Sequence, residues 1–394
     1  MNRELREFVG QEVQSFREQG TFRTKHVLQS EQAGRVVLDG KRVVMLGSSN
    51  YLGLASDPRV KEAAKRAVDQ YGCGAASVSE VCGLTDLHYE LRRRLAHFLG
   101  AEDALIYPSC STANAGVIDG LMRDGDVILS DQLNHASIID GCRISTAEKK
   151  VYPHKDLAVL EEHLRNASDA RLRMIVTDGV FSMEGDTAPL DKMVELGERC
   201  SAITVVDESH ALGVLGERGK GTIEHYGVEG QIDIQTGTFG KALGGAGGGY
   251  VCGSQDLVDY LYHRSRSFIF TNALPPATVA GALTALRILE EDPSLVQRLR
   301  VNTQHFRAGI ETIGLKLLGG ESPITPIIIG EAPKAYAMAD RLMEEGVFLG
   351  AVGYPVVPRG EARLRVQISA ALTQDDLDFS LESIERTART LGVV

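Results

Sequence analysis

The chain has 394 residues, 43% of them hydrophobic and 24% charged, with a net charge of −11. That length exceeds what one hydrophobic core usually serves, so one large and one small domain are expected. The acidic balance and the lack of a long Lys/Arg run exclude nucleic acid or an anionic membrane as the main partner.

The first residues, MNRELREFVGQEVQSFREQG, are charged from the third position and lack the apolar stretch of a signal peptide. No later apolar run reaches a bilayer span, so a cytoplasmic chain with no membrane partner is expected. Residues 1–20 have a helical apolar pattern, and GRVVLDGKRVVML predicts a small hairpin, which makes residues 1–45 an N-terminal arm. From about residue 45, short β-rich runs (DALIYPS, DVILSD, RMIVTDGVFS, AITVVDESH, GGYVCGS) alternate with helical patterns such as APLDKMVELGERC, where Pro189 stands near the start. The alternation predicts an α/β fold: a large domain over residues 46–280 with a mostly parallel sheet flanked by helices. After NALPPATVAGALTALRILEED come a long helix, short strands (ITPIIIG, RLRVQIS) around PKAYAMADRLMEEGV, and a last helix, a smaller C-terminal α+β domain over 281–394. No internal repeat or Pro-rich linker separates the two. The six cysteines are scattered without a C-x-x-C pair or a His-rich neighbour, which suits reduced thiols and predicts no metal site.

The stretch GTFGKALGGAGGGY (237–250) sets Lys241 among small residues, and fits neither G-x-G-x-x-G nor G-x-x-x-x-G-K-[ST]. Alone it is as well explained by a solvated lysine in a turn. Asp207, however, ends a buried strand, at the carboxyl edge where open α/β sheets bind ligands, with His210 three residues on. A lysine that forms a Schiff base with pyridoxal phosphate needs a carboxylate to keep the pyridine nitrogen protonated, and Asp207 suits that need as well as it suits a turn or N-cap. YPSCSTANAG (107–116) puts small hydroxyl residues between a strand and a helix, where a helix N-terminus can hold a phosphate. His135, in LSDQLNHASIIDG, suits a stacking role or an ordinary loop histidine, and Ser182, in VTDGVFSMEGD, can donate to a cofactor oxygen.

In order and spacing, NYLGLA (50–55), LNHASIIDG (133–141), TDGVFSMEGD (177–186), VVDESHALGVLGERGKG (205–221), TGTFGKALGG (236–245) and ARLRVQISAA (362–371) resemble the α-oxoamine synthases, fold-type I pyridoxal-phosphate transferases, over nearly the whole chain. Within that family, CGAASVSEVCG, SIIDG, RSRSFIFTNALPP and YPVVPRGEARLRVQISAA are more similar to the glycine C-acetyltransferases than to the 8-amino-7-oxononanoate synthases. The resemblance implies a pyridoxal 5′-phosphate enzyme that transfers an acyl group from acyl-CoA to a small amino acid, with glycine and acetyl-CoA giving 2-amino-3-oxobutyrate as the leading pair. An 8-amino-7-oxononanoate synthase-like reaction or another α-oxoamine synthase reaction with a different amino acid or acyl-CoA, a pyridoxal-dependent aldolase or aminotransferase, and an inactive partner subunit are the alternatives.

Residue by residue, the resemblance implies that Lys241 carries the cofactor, Asp207 pairs with the pyridine nitrogen and His135 stacks on the ring. His210 and Ser182 sit near the phenolic oxygen, and Cys110, Ser111 and Thr238 bind the phosphate. Thr271 reaches in from a second subunit, so a homodimer shares the active site. Arg365 holds the amino-acid carboxylate with help from Asn50; a bidentate guanidinium fixes orientation as well as place. Small neighbours such as Gly240, Ala242, Gly244 and Gly245 leave Lys241 room to swing. Three positions depart from the family pattern: Ser79-Glu80 where an arginine is common, Leu372 where a histidine is typical, and Ser111 where an aromatic is frequent.

Overall fold

The computed structural model describes residues 2–18, 22 and 24–394. Its first strands, β1 (Arg35–Leu38) and β2 (Lys41–Met45), form the expected hairpin. The main sheet follows from β3 (Asp103–Tyr107), β4 (Val127–Asp131), β5 (Glu148–Tyr152), β6 (Arg173–Asp178), β7 (Ile203–Asp207), β8 (Ile234–Thr238) and β9 (Gly249–Gly253). These seven lie in the order β3-β9-β8-β7-β6-β4-β5, and every pairing is parallel except the two made by β9. The central strands are buried along their lengths, as in Val127–Asp131, because helices cover both faces of the sheet. The crossover expected in APLDKMVELGERC is the helix Leu190–Cys200, which starts behind Pro189 and buries Leu190, Met193, Val194 and Leu196 against the sheet.

The parallel strands bring polar termini to one edge. Asp178 and Asp207 are direct partners in the β6–β7 register, and Asp207 pairs with Thr236 on β8. The run RMIVTDGVFS stops being a strand at Asp178, leaving the following residues free to form a turn beyond the sheet.

The C-terminal part contains β10 (Lys316–Leu317), β11 (Ile324–Gly330), β12 (Val347–Phe348), β13 (Gly350–Val352) and β14 (Ala362–Gln367). Four of these make an antiparallel sheet in the order β10-β11-β14-β13, while β12 pairs in parallel with β2. The hairpin of the N-terminal arm thus extends the C-terminal part, and Val36, Leu38, Val43 and Met45 bury against Met343 and Phe348. The expected boundary at 280/281 falls inside the helix Pro276–Glu291, which packs against the helices Pro58–Tyr71 and Asp86–Leu99. The helix Arg3–Glu18 buries none of its residues, and Leu5, Phe8, Val9 and Phe16 face out. No helix among the described residues is long and apolar enough to cross a membrane.

Candidate functional site

Lys241 lies just past the end of β8, in the Gly-rich connection to β9. Burial draws its pKa down, opposed by the charges of Asp207, Cys110 and Asp178 and reinforced by Arg365. A lysine in that condition is nearer to its neutral, nucleophilic form than a surface lysine.

Asp207, 3% exposed, takes hydrogen bonds from Asn114 Nδ2 at 2.7 Å on one oxygen and from the Ser209 amide at 2.9 Å on the other. The Cys110 thiol lies 3.5 Å from the same oxygen as Asn114. Cys110 and Asn114 are one turn apart on the helix Cys110–Leu121, so one helical face serves one carboxylate. Burial pushes the Cys110 thiol well up, and Asp207 adds to the effect. Beside it, burial raises the Asp178 carboxyl well above the usual range, again helped by Asp207, while the His135 amide opposes by donating to Asp178 at 2.7 Å.

His135 caps the helix Ala136–Ile144. Its Nδ1 accepts from the Ser137 amide at 3.2 Å and meets Ser137 Oγ at 2.8 Å. A backbone amide only donates, so the neutral ring carries its proton on Nε2. Burial lowers the pKa of His135, with Asp207 opposing and Lys241 and Arg365 adding to the drop, which keeps the ring neutral. His210, 8% exposed, is lowered further by burial and by the charges of Lys241, Arg365 and His135.

Arg365, on β14, donates from Nε to the Ser182 carbonyl at 2.6 Å and meets no carboxylate within ion-pair distance among the described residues. Two residues earlier on the same strand, Arg363 is wholly buried and paired with Glu184 and Glu361, so the two arginines differ in kind. Arg365 is the one with charge to spare for a ligand anion.

A second anion position lies at the start of the helix Cys110–Leu121. Ser109 caps it by accepting from the Thr112 amide, while the Cys110 and Ser111 amides come first in the helix and have no intrahelical acceptor. Gly249 of β9 packs so closely on Ser109 and Cys110 that any side chain there would collide with their backbone. Thr238 contributes less freely than expected, since its hydroxyl donates to the Gly248 carbonyl at 2.8 Å and accepts from the Gly240 amide at 3.0 Å.

The chain therefore brings Lys241, Asp207, His135, His210, Arg365 and Cys110 into mutual electrostatic range. Ser182 joins through its carbonyl rather than its hydroxyl. Asn50 is held by its own surroundings, donating to the Gln32 carbonyl at 3.1 Å and accepting from the Ala55 amide at 3.2 Å, which leaves one N–H for a ligand. Thr271 follows the short helix Arg266–Ile269, and its hydroxyl makes no hydrogen bond within the described residues. Leu372 is a core residue, and Ser79 is buried in the turn Ser79–Gly83 while Glu80 is exposed. Asn114, Asp178, Tyr51 and Gln367 belong to the site but were not singled out from the sequence. Asp178 ends its strand just as Asp207 does, and Gln367 stands two residues after Arg365 on the same strand face, so both were findable by period and position.

A pyridoxal phosphate group fits this donor set. The buried Lys241 offers an amine to its aldehyde, Asp207 an acceptor to its ring nitrogen and the two free helix amides a seat for its phosphate, and Arg365 remains for a substrate carboxylate.

Comparison with known proteins agrees. The family model for aminotransferase class I and II matches residues 41–384. The chain is 45% identical over 389 residues to an 8-amino-7-oxononanoate synthase of Thermoanaerobacter pseudethanolicus, covering 98% of each. It is 42% identical to an 8-amino-7-oxononanoate synthase of Symbiobacterium thermophilum, over 99% of this chain and 100% of that one. A structure of SPT with PLP as its internal aldimine superposes with a TM-score of 0.93 at 30% identity, over 99% of both chains. Fold and cofactor class stand as the sequence implied. The narrower likeness to glycine C-acetyltransferase is corrected: these relatives are 8-amino-7-oxononanoate synthases, and the short strings that suggested otherwise lie in only part of a chain whose full length carries the similarity.

Proposed function

The chain belongs to the class I and II aminotransferase family and, within it, to the α-oxoamine synthases with pyridoxal 5′-phosphate as cofactor, and from that premise we propose that it makes 8-amino-7-oxononanoate. The name of that product dictates its sources. An amine on the eighth carbon and a methyl on the ninth are what alanine leaves after losing its carboxylate, and the other seven carbons are a dicarboxylic acid joined through one of its carbonyls. The substrates are alanine and a heptanedioyl-CoA thioester. A bond forms between the alanine Cα and the thioester carbonyl, the C–S bond breaks, CoA leaves as its thiol, and the alanine carboxylate departs as carbon dioxide.

When bound, pyridoxal phosphate supplies a sink for the electron pair left on Cα. We assign the remaining work to the chain's own groups. Lys241 holds the cofactor and, once released as a neutral amine, takes the Cα proton. Asp207 keeps the ring nitrogen protonated, and His135 lies against the ring. The Cys110 and Ser111 amides hold the phosphate beside Thr238, whose own proton goes to the Gly248 carbonyl, and His210 attends the phenolic oxygen while the Ser182 carbonyl holds Arg365. Arg365, assisted by Asn50, turns the amino acid by its carboxylate so that the reacting bond is aligned. Thr271 completes the site of a second copy; Phe270 at 70% exposure and Val81 at 76% lie near it in the fold and support an interface there.

The observation that carries the reading is one cluster in which a buried lysine feels both a buried carboxylate and an arginine left without a carboxylate of its own. Free CoA is to be measured with alanine, glycine or serine, each offered with heptanedioyl-CoA, acetyl-CoA or palmitoyl-CoA. The alanine and heptanedioyl pair should release it fastest. Fastest release from glycine and acetyl-CoA would return the assignment to glycine C-acetyltransferase, and no release from any pair would point to aldolase or aminotransferase chemistry.

A further inference from the structure

A relay of three hydrogen bonds runs from His210 through Tyr51 and Gln367, on β14, to the Gly47 carbonyl, and its directions can be read from that far end. The Gly47 carbonyl can only accept, and Gln367 Nε2 donates to it at 2.8 Å. That contact fixes the amide of Gln367, whose Oε1 faces the other way and takes Ser49 Oγ at 2.9 Å and Tyr51 Oη at 2.9 Å. Flipping the amide would set two acceptors against each other at Gly47. Tyr51 has a single proton, and burial, by pushing the phenol up to about 12, keeps it there. With that proton committed to Gln367, the contact of 2.8 Å between Tyr51 Oη and His210 Nδ1 can be a hydrogen bond only if Nδ1 is the donor.

We infer that Tyr51 and Gln367 are positioning residues that lock His210 in the tautomer with its proton on Nδ1, so that Nε2 meets the ligand as a hydrogen-bond acceptor. Among the described residues nothing takes up Nε2, and burial together with the nearby Lys241 and Arg365 lowers the pKa of His210 and favours an unprotonated nitrogen. His135 holds the opposite state, with its proton on Nε2. The two site histidines thus present unlike faces: one donates, the other accepts. A group seated against His210 must bring its own proton, which favours a hydroxyl over an oxyanion at that place; for the cofactor assigned above, this is the phenolic oxygen in its protonated form. Gln367 shares a face of β14 with Arg365, so the strand that offers the carboxylate clamp also sets the state of this ring. The inference about the hydroxyl rests on the proposed cofactor site; the inference about the tautomer does not.

The test is a long-range proton–nitrogen correlation spectrum of the cofactor-loaded chain labelled with nitrogen-15 in histidine, with the His210 signals identified by their loss in His210→Gln. The native chain should show a protonated Nδ1 and a bare Nε2. In Gln367→Met the phenol proton is released to Nδ1, and the pattern should reverse. A native ring protonated on Nε2, or a native pattern that survives Gln367→Met, would overturn the inference; if that variant fails to fold, the native spectrum decides alone. Borohydride reduction and peptide mapping keep the two readings apart. A labelled Lys241 beside an Nε2-protonated His210 sinks only the tautomer, and an unlabelled Lys241 beside an Nδ1-protonated His210 sinks only the cofactor assignment.

Discussion

Asn114 ties two parts of the candidate site together: its Nδ2 reaches Asp207 at 2.7 Å and Ser137 Oγ at 3.0 Å, and Ser137 in turn holds His135. Thr236 donates to its Oδ1 at 2.7 Å, so the amide cannot turn. Replacing Asn114 by Ala removes a buried hydrogen bond to a charged group, worth about 1.5–3 kcal/mol. Cofactor affinity should fall by roughly 10- to 100-fold, read by titrating the apo chain with pyridoxal phosphate while circular dichroism confirms the fold. Unaltered affinity would show that Asp207 does not depend on this support.

Lys241→Ala removes the amine proposed to carry the cofactor but relieves its burial, which already draws its pKa down. The apo variant should unfold at the same temperature as the native chain or a higher one. After incubation with cofactor and reduction with borohydride, its peptide map should carry no pyridoxyl group, and CoA release should vanish. A label or full turnover in the variant would place the chemistry on another side chain.

The main sheet was legible because buried parallel strands read as short apolar runs that end in polar residues, as ITVVD and RMIVTD do. Asp207 ends such a run and His135 and Lys241 follow others within a few residues, which marks positions at the sheet edge; the roles expected of them came from the family resemblance. What could not be read were the partnerships between distant segments. Nothing in NYLGLA says that Tyr51 will meet His210 and Gln367, residues 159 and 316 positions away. Nor does the local string distinguish Arg363 from Arg365, although folding buries one between two carboxylates and leaves the other available. Alternation along a strand gives the face a residue lies on, while its partners depend on which elements the chain brings against that face.

Arg365→Ala should act on the amino acid rather than on the cofactor. Loss of a desolvated guanidinium–carboxylate pair costs about 2–5 kcal/mol, so the half-saturating alanine concentration should rise by at least tenfold while the absorbance of the bound cofactor stays. Arg365→Lys should recover only part, because an ammonium cannot grip a carboxylate in two places. An unchanged half-saturating concentration in the alanine variant would remove Arg365 from the substrate site.

His154 makes the fold sensitive to pH above neutrality. Its Nδ1 lies 3.0 Å from Asp131 and its Nε2 3.1 Å from Asp186, with the ring 4.4 Å from that of Phe181. Burial works against the charge, but the hydrogen bonds to Asp131 and Asp186 outweigh it and push the pKa up to about 9, from 6.5. A folded value above the unfolded one means a contribution that is whole below about pH 6.5 and lost as pH rises through 9, on the order of 3 kcal/mol at most. Urea unfolding at intervals from pH 6 to 10 should show that decline in the native chain, and His154→Gln should flatten it. Equal slopes in both would assign the pH dependence elsewhere.

Arg363 fastens the turn that carries Ser182. Its guanidinium donates to the Met183 carbonyl at 3.1 Å, to Glu184 at 3.2 Å and to Glu361 at 3.1 Å, and Ser322 Oγ donates to the Gly185 carbonyl at 2.7 Å. Together with the bond from Arg365 to the Ser182 carbonyl, three carbonyls between residues 182 and 185 accept from the C-terminal part. Gly185, at a φ of 74° and packed on the Ile324 backbone, lets the turn approach that closely. Arg363→Met keeps the volume but strands Glu184, whose pKa burial already raises, and should destabilise the chain by about 3–5 kcal/mol. Adding Glu184→Gln removes the stranded charge and should return part of the loss, a coupling that a double-mutant cycle in urea measures. Since the same turn anchors Arg365, the single variant should raise the half-saturating alanine concentration more than it lowers the maximal rate. A loss confined to stability, with both kinetic constants intact, would show that the turn holds the two parts together without orienting the clamp.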